Sequence, residues 1–107
     1  MRKLSVILVL LFIIIFVDVA KTADISVDQR NKTFSQSSIS LKVGDRLIFN
    51  NGDDVVHNIT VEDNDGNQDD LGLQKPGEPL AEKFDKAGDY IARCQIHPRM
   101  RINIKVE

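Results

Sequence analysis

The chain has 107 residues, with 14 Lys+Arg against 16 Asp+Glu, a formal net charge of −2, two His, one Cys and no Trp. That length holds one domain and excludes a substrate domain set beside a cofactor domain, while 42% hydrophobic and 28% charged residues exclude a disordered chain. A lone cysteine forms no internal disulfide, no CxxC pair exists for a zinc ribbon or thioredoxin-like site, and the near-neutral charge lacks the basic stripe of a nucleic-acid binder.

Residues 1–20 read MRKLSVILVLLFIIIFVDVA: a positive start at Arg2 and Lys3, then an apolar run from Leu4 to Val17 broken only by Ser5. As a helix that run rises about 21 Å at roughly 1.5 Å per residue, short of the about 30 Å hydrocarbon core of a bilayer. This is the pattern of a secretory signal peptide, expected over residues 1–23 with a cut after Ala20 or Ala23. Asp18 or Lys21 then falls three residues before the cut, where a small side chain is preferred, so an uncleaved membrane anchor stays open as the alternative. Either way residues 24–107 form an exported domain, periplasmic, secreted or held at the outer face of the membrane. Losing Arg2, Lys3, Lys21 and Asp18 moves the net charge to −4. Small exported domains without disulfides often rely on a metal as their staple.

The exported part is punctuated every eight to twelve residues, the rhythm of an all-β sandwich or barrel. Ile25-Ser26-Val27 alternates apolar and polar side chains, as does Ile39-Ser40-Leu41-Lys42-Val43, each a half-buried strand. After a turn at Gly44-Asp45, Arg46–Asn50 is expected as the hairpin partner of the 39–43 strand. Asn51-Gly52 is a turn signal, and Val55–Glu62 follows as a strand rich in β-branched residues. Residues 63–79 carry three Gly and two Pro without periodicity and read as a long loop. Asp53, Asp54, Glu62, Asp63, Asp65, Asp69 and Asp70 occur with no Lys or Arg between positions 53 and 70. They read as a solvated edge that discourages strand-to-strand aggregation. A weak hard-cation site is the sharper alternative, although the spacing of a calcium-binding EF-hand is missing. Ile102-Asn103-Ile104-Lys105-Val106 closes the chain with clean alternation.

After the leader the chain holds two His, one Cys and one Met, and three of these four lie in Cys94-Gln95-Ile96-His97-Pro98-Arg99-Met100. The fourth, His57, opens the 55–62 strand. Singly each has an ordinary reading: a buried thiol, a gap-filling thioether, a core or loop histidine. Together, the only four soft donors gather on two short segments. A thiolate, two imidazoles and a thioether are the donors of a trigonal His2Cys copper site with a long axial Met. Thiolate and thioether favour Cu(I) and imidazole suits both oxidation states, so this mixture lets the ion change charge with little rearrangement.

Three stretches resemble the cupredoxins, the small blue copper proteins, and within them the plastocyanin and amicyanin branch. They are Phe34-x4-Ile39-x-Leu41-x2-Gly44-x2-Leu47-x-Phe49-x-Asn51, then His57-Asn58, then Gly88-x-Tyr90-x3-Cys94-x2-His97-x2-Met100. The resemblance covers the chain from about Ile25 to the end, and the two-residue spacing between His97 and Met100 is the short one of the amicyanins. It implies a Greek-key β-sandwich in which His57, Cys94 and His97 form the trigonal plane around one type 1 copper ion and Met100 the axial contact. It further implies that His57 is enclosed, that the ring edge of His97 reaches the surface, and that Asn58 braces the Cys94 loop through its backbone and side chain. Ala92 departs from the family pattern, where an aromatic often stands, which implies looser packing beside the site. Arg99 and Arg101 stand where an apolar rim is more usual.

With no nucleophile–base pair and no phosphate loop, the expected function is a monomeric one-electron carrier rather than an enzyme. It would meet redox partner proteins transiently around His97, with Ile96 and Pro98 as apolar contacts and Arg93, Arg99 and Arg101 as nearby cations. No nucleic acid is involved, and a membrane only through an uncleaved leader. A copper carrier or buffer that hands copper on without redox cycling is the competing reading, and a purely structural sandwich is a third.

Overall fold

The computed structural model describes residues 3, 5–15 and 21–107. Residues 5–15 carry neither helix nor strand and their apolar side chains are exposed. Among the described residues no helix is long and apolar enough to cross a membrane. The rest of the expected leader, including the cleavage point after Ala20, lies outside the described residues.

Among the described residues the chain is all-β. In order the strands are β1 (Asp24–Arg30), β2 (Thr33–Phe34), β3 (Ser38–Leu41), β4 (Arg46–Asn51), β5 (His57–Glu62), β6 (Gln68–Gln74), β7 (Pro79–Lys83), β8 (Gly88–Cys94) and β9 (Arg101–Val106). They build one sheet in the order β2-β1-β4-β7 and another in the order β3-β9-β8-β5-β6. The chain crosses between the sheets at β2–β3, β3–β4, β4–β5, β6–β7 and β7–β8, the Greek-key sandwich that the resemblance implies.

Alternation drives the packing, since successive side chains of a strand face opposite sides of its sheet. Ile102, Ile104 and Val106 of β9 are buried between exposed Arg101, Asn103 and Lys105. Leu47 and Phe49 of β4 face them from the other sheet, and Val27, Leu41, Ile59, Val61, Phe84 and Ala92 complete one core. Ala92 is fully buried and packs within that core.

Two expectations about this region are corrected. β3 and β4 do not form a hairpin: β3 pairs in parallel with β9, and β4 lies in the other sheet between β1 and β7. The Gly44-Asp45 turn therefore carries the chain from one sheet to the other. Buried Asp45 accepts the N–H groups of Lys42 and Ala23, fixing that corner. Secondly, the segment 63–79 is not one loop, because it contains β6, paired with β5 along the open edge of the five-stranded sheet. Its hydrophobic signal is masked by a bulge: the register shifts between Ile59 and Thr60, leaving Leu71 as the extra residue, and Gly72 beside it takes a φ of 86°, which glycine adopts without strain. Asp69 and Asp70 lie on this edge strand, in line with a charged edge that resists pairing with other chains.

The tight turn of the first sheet is also elsewhere than the sequence signalled. Gly52 does not close a two-residue hairpin; a side chain there would meet the Gln29 carbonyl at 3.0 Å. Instead Asn31 and Lys32, with φ of 52° and 56°, join β1 to β2, and Arg30 pairs with Thr33 across them. Positive φ at both central residues is the requirement of a type I′ turn.

Candidate metal centre

His57 opens β5, Cys94 ends β8, and residues 95–100 loop from Cys94 to β9. β5 and β8 are adjacent, with Ile59 opposite Cys94, so the pairing that builds the sheet brings these two donors to one end of the sandwich. The loop is then folded back on itself: the Met100 N–H donates to the His97 carbonyl, and the Cys94 N–H donates to the Met100 carbonyl. This turn returns His97 to the same point.

The three donors meet closely. Cys94 Sγ lies 3.7 Å from Nδ1 of His57 and 3.7 Å from Nδ1 of His97, and the two Nδ1 atoms are 3.2 Å apart. An ion with bonds of about 2.0–2.3 Å to nitrogen and sulfur, at angles between tetrahedral and trigonal, separates its donors by about 3.3–3.8 Å. The triangle therefore has the size of one coordination sphere. His57 and Cys94 are buried and His97 is half-buried, so the cluster has an enclosed side and an exposed side. Among the described residues no other group of His, Cys, Asp and Glu side chains converges in this way. Met100 is fully buried at the end of the same loop.

The donors are held from behind. The Asn58 N–H points at Cys94 Sγ at 3.4 Å, and the Asn58 carbonyl accepts the Gln95 N–H at 3.2 Å, so the backbone bracing expected of Asn58 is present. Its side-chain oxygen finds no partner among the described residues, so the bracing comes from the backbone alone. An N–H aimed at sulfur fixes the direction of that donor.

Sequence reasoning missed the polar layer beside His57. Gln74 stands opposite His57 in the β5–β6 ladder and is fully buried. Its side chain accepts from Gln29 Nε2 at 2.8 Å and donates to the Phe49 carbonyl at 2.8 Å, tying the five-stranded sheet to β1 and β4 of the other. Asn51 Nδ2 donates to the carbonyls of Val55 and Gln74, and Asn51 Oδ1 accepts the Asp53 N–H. Asp53 in turn reaches His57 Nε2 at 2.7 Å. Burial pushes the Asp53 carboxyl up, but hydrogen bonds from His57 and from the N–H groups of Lys32 and Asn31 outweigh this and hold it below its ordinary 3.8. These residues carry no spacing signal, since they lie on four different elements that meet only in the folded chain.

All three arginines around the loop are exposed. Arg99 lines a shallow concavity beside His97 together with Ile96, Pro98, Lys32 and Thr33. Arg93 and Arg101 lie opposite each other on β8 and β9.

Comparison with known proteins agrees with this geometry. The family model for copper binding proteins, plastocyanin/azurin family, matches residues 21–107. The methylamine utilization protein MauL of Methylorubrum extorquens is 34% identical over 68 residues, covering 64% of this chain and 60% of that protein, so the chain spans less than two thirds of that relative. Plastocyanin of Scenedesmus fuscus is 30% identical over 84 residues, covering 71% of this chain and 86% of that one. A reduced Cu(I) amicyanin variant superimposes with a TM-score of 0.71 at 27% identity, covering 84% of this chain and 87% of the other. The chain belongs to the plastocyanin/azurin family of copper-binding proteins, the cupredoxins, and its cluster of His57, Cys94 and His97 is suited to a copper ion.

Proposed function

We propose that the protein is an exported one-electron carrier, not an enzyme, in which His57, Cys94, His97 and Met100 hold a single copper ion. Bound there, copper would supply reversible Cu(I)/Cu(II) exchange. The observation that carries this reading is the packing of one thiol sulfur and two imidazole nitrogens within 3.7 Å of one another, His57 enclosed and His97 half open. Such a centre has protein on its buried side and one ring edge toward a partner. Met100, fully buried and tied by backbone hydrogen bonds to His97 and Cys94, supports the fourth position. With four protein donors no position is left for substrate, whereas metal-ion catalysis needs an open one.

The partner would dock on the concavity around His97, where Ile96 and Pro98 give apolar contact and Arg99 and Lys32 give positive charge. A carboxylate-bearing redox protein fits that surface, and the encounter is small and transient. Export is supported by the leader-like segment. Two hydrogen bonds support a cut before Ala23: its N–H donates to buried Asp45 and its carbonyl accepts the Arg46 N–H. A cut after Ala20 preserves both bonds, so N-terminal sequencing of the exported protein is expected to begin at Lys21.

Voltammetry of the copper-loaded protein tests the carrier reading against the copper-delivery alternative. A reversible one-electron wave without loss of copper is the expected result. Transfer of Cu(I) to an acceptor chelator or protein on the timescale of the encounter, with no stable wave, would favour delivery instead.

A further inference from the structure

Asp53 belongs to the acidic run that the sequence reads as a solvated edge, yet its side chain is only 9% exposed and its carboxylate is fully engaged. Oδ2 lies 2.7 Å from Nε2 of His57, whose side chain is 0% exposed. The same carboxylate accepts the N–H groups of Asn31 and Lys32, the two positive-φ residues of the β1–β2 turn. Its own N–H is held by Asn51 Oδ1 at 3.0 Å. Three hydrogen bonds to the carboxylate and a fourth to the backbone of Asp53 leave this side chain one orientation.

A carboxylate only accepts hydrogen bonds, so the short contact places a proton on Nε2, and when the ring ligates it is Nδ1 that offers its lone pair toward Cys94 and His97. A carboxylate behind a ligating imidazole also raises its basicity, and its negative charge favours the more highly charged state of a nearby ion. The left-handed backbone at Lys32 has a cost of its own, which charge-assisted bonds to the turn offset.

We propose that Asp53 is the positioning residue of the metal centre: it fixes the tautomer of His57 and, through its charge, holds the copper potential down by favouring Cu(II). This rests on the copper reading above for its second half; the tautomer does not.

Two measurements test it. In the metal-free wild-type protein, long-range nitrogen–proton NMR is expected to show the neutral His57 ring as its Nε2–H tautomer. The Nδ1–H tautomer of the neutral ring overturns the proposal whether or not copper binds. In the copper-loaded protein, Asp53→Asn keeps an acceptor of the same shape and removes the charge. Its ratio of Cu(II) to Cu(I) affinity is expected to fall about tenfold, read as a midpoint potential about 59 mV higher for one electron. Asp53→Ala is expected to raise the potential as well and to mix the His57 tautomers. If Asp53 served only to close the β1–β2 turn, both variants would melt lower but keep the wild-type potential. That result, in a wild-type background giving a reversible wave, overturns the electrostatic role; absence of any wave in the wild type would instead count against the carrier reading.

Discussion

Truncating Gln74 to alanine is the sharpest test of how this fold supports its site. The side chain is fully buried and binds Gln29, the Phe49 carbonyl and the Glu78 carbonyl across the gap between the sheets. Alanine leaves the Phe49 carbonyl and the Gln29 amide without these partners in a place where water cannot replace them. Each such loss costs about 1–3 kcal/mol, and the missing side-chain volume adds to it, so the expected destabilisation is roughly 2–5 kcal/mol. For a domain this small that lowers the melting temperature by roughly 10 °C or more. The assay is thermal unfolding of the metal-free protein followed by far-UV circular dichroism. Gln68→Ala, at the exposed opposite end of the same strand, is the control, expected within about 0.5 kcal/mol of wild type. Because Gln74 faces His57 in the ladder, copper should also rescue the Gln74 variant less than it stabilises wild type. If Gln74→Ala melts together with Gln68→Ala, the polar layer is not what joins the sheets and the reasoning fails.

Further expectations follow from the same structure. Copper bound by the folded state but weakly by the unfolded chain stabilises the former by about 4 kcal/mol at a thousandfold excess over Kd, so the loaded protein should melt above the metal-free one; Cys94→Ser should lose most of that gap, and equal melting temperatures would refute the site. Burial and the neighbouring Asp69 push the Glu82 carboxyl up to about 7 from 4.5. A folded-state value above the unfolded one means stability that is present below pH 4.5 and lost as pH rises to 7. Glu82→Gln should therefore flatten this part of the stability profile and gain on the order of 1 kcal/mol at pH 8, the amount being small because the group is partly screened by water; parallel profiles for the two proteins would contradict it. Arg99→Glu should slow electron transfer to an acidic partner and weaken its salt dependence, whereas an unchanged rate and salt slope would remove Arg99 from the docking surface.

The parts of this molecule legible in its sequence are those written in local pattern. β9 and β4 alternate cleanly because one face of each lies on the core, and the four soft donors stand out because residues 24–107 hold so few. Strand partners were less legible. The 39–43 and 46–50 segments look like a hairpin, yet β3 pairs with a strand about sixty residues further along because the Asp45 corner sends the chain to the opposite sheet. β6 was hidden because an edge strand with a bulge needs few apolar residues, so its acidic and glycine content mimics a loop. Asp53 was hidden for a similar reason. Its neighbours in sequence are acidic and solvated, and only the fold brings the β1–β2 turn and His57 around its carboxylate.

Titrating Cu(II) into the metal-free protein and recording the visible spectrum tests the central claim most directly. One equivalent should produce an intense blue thiolate-to-copper absorption that is absent in Cys94→Ser and altered in His57→Ala. A spectrum without that band, at copper levels where binding is demonstrated by equilibrium dialysis, would contradict it.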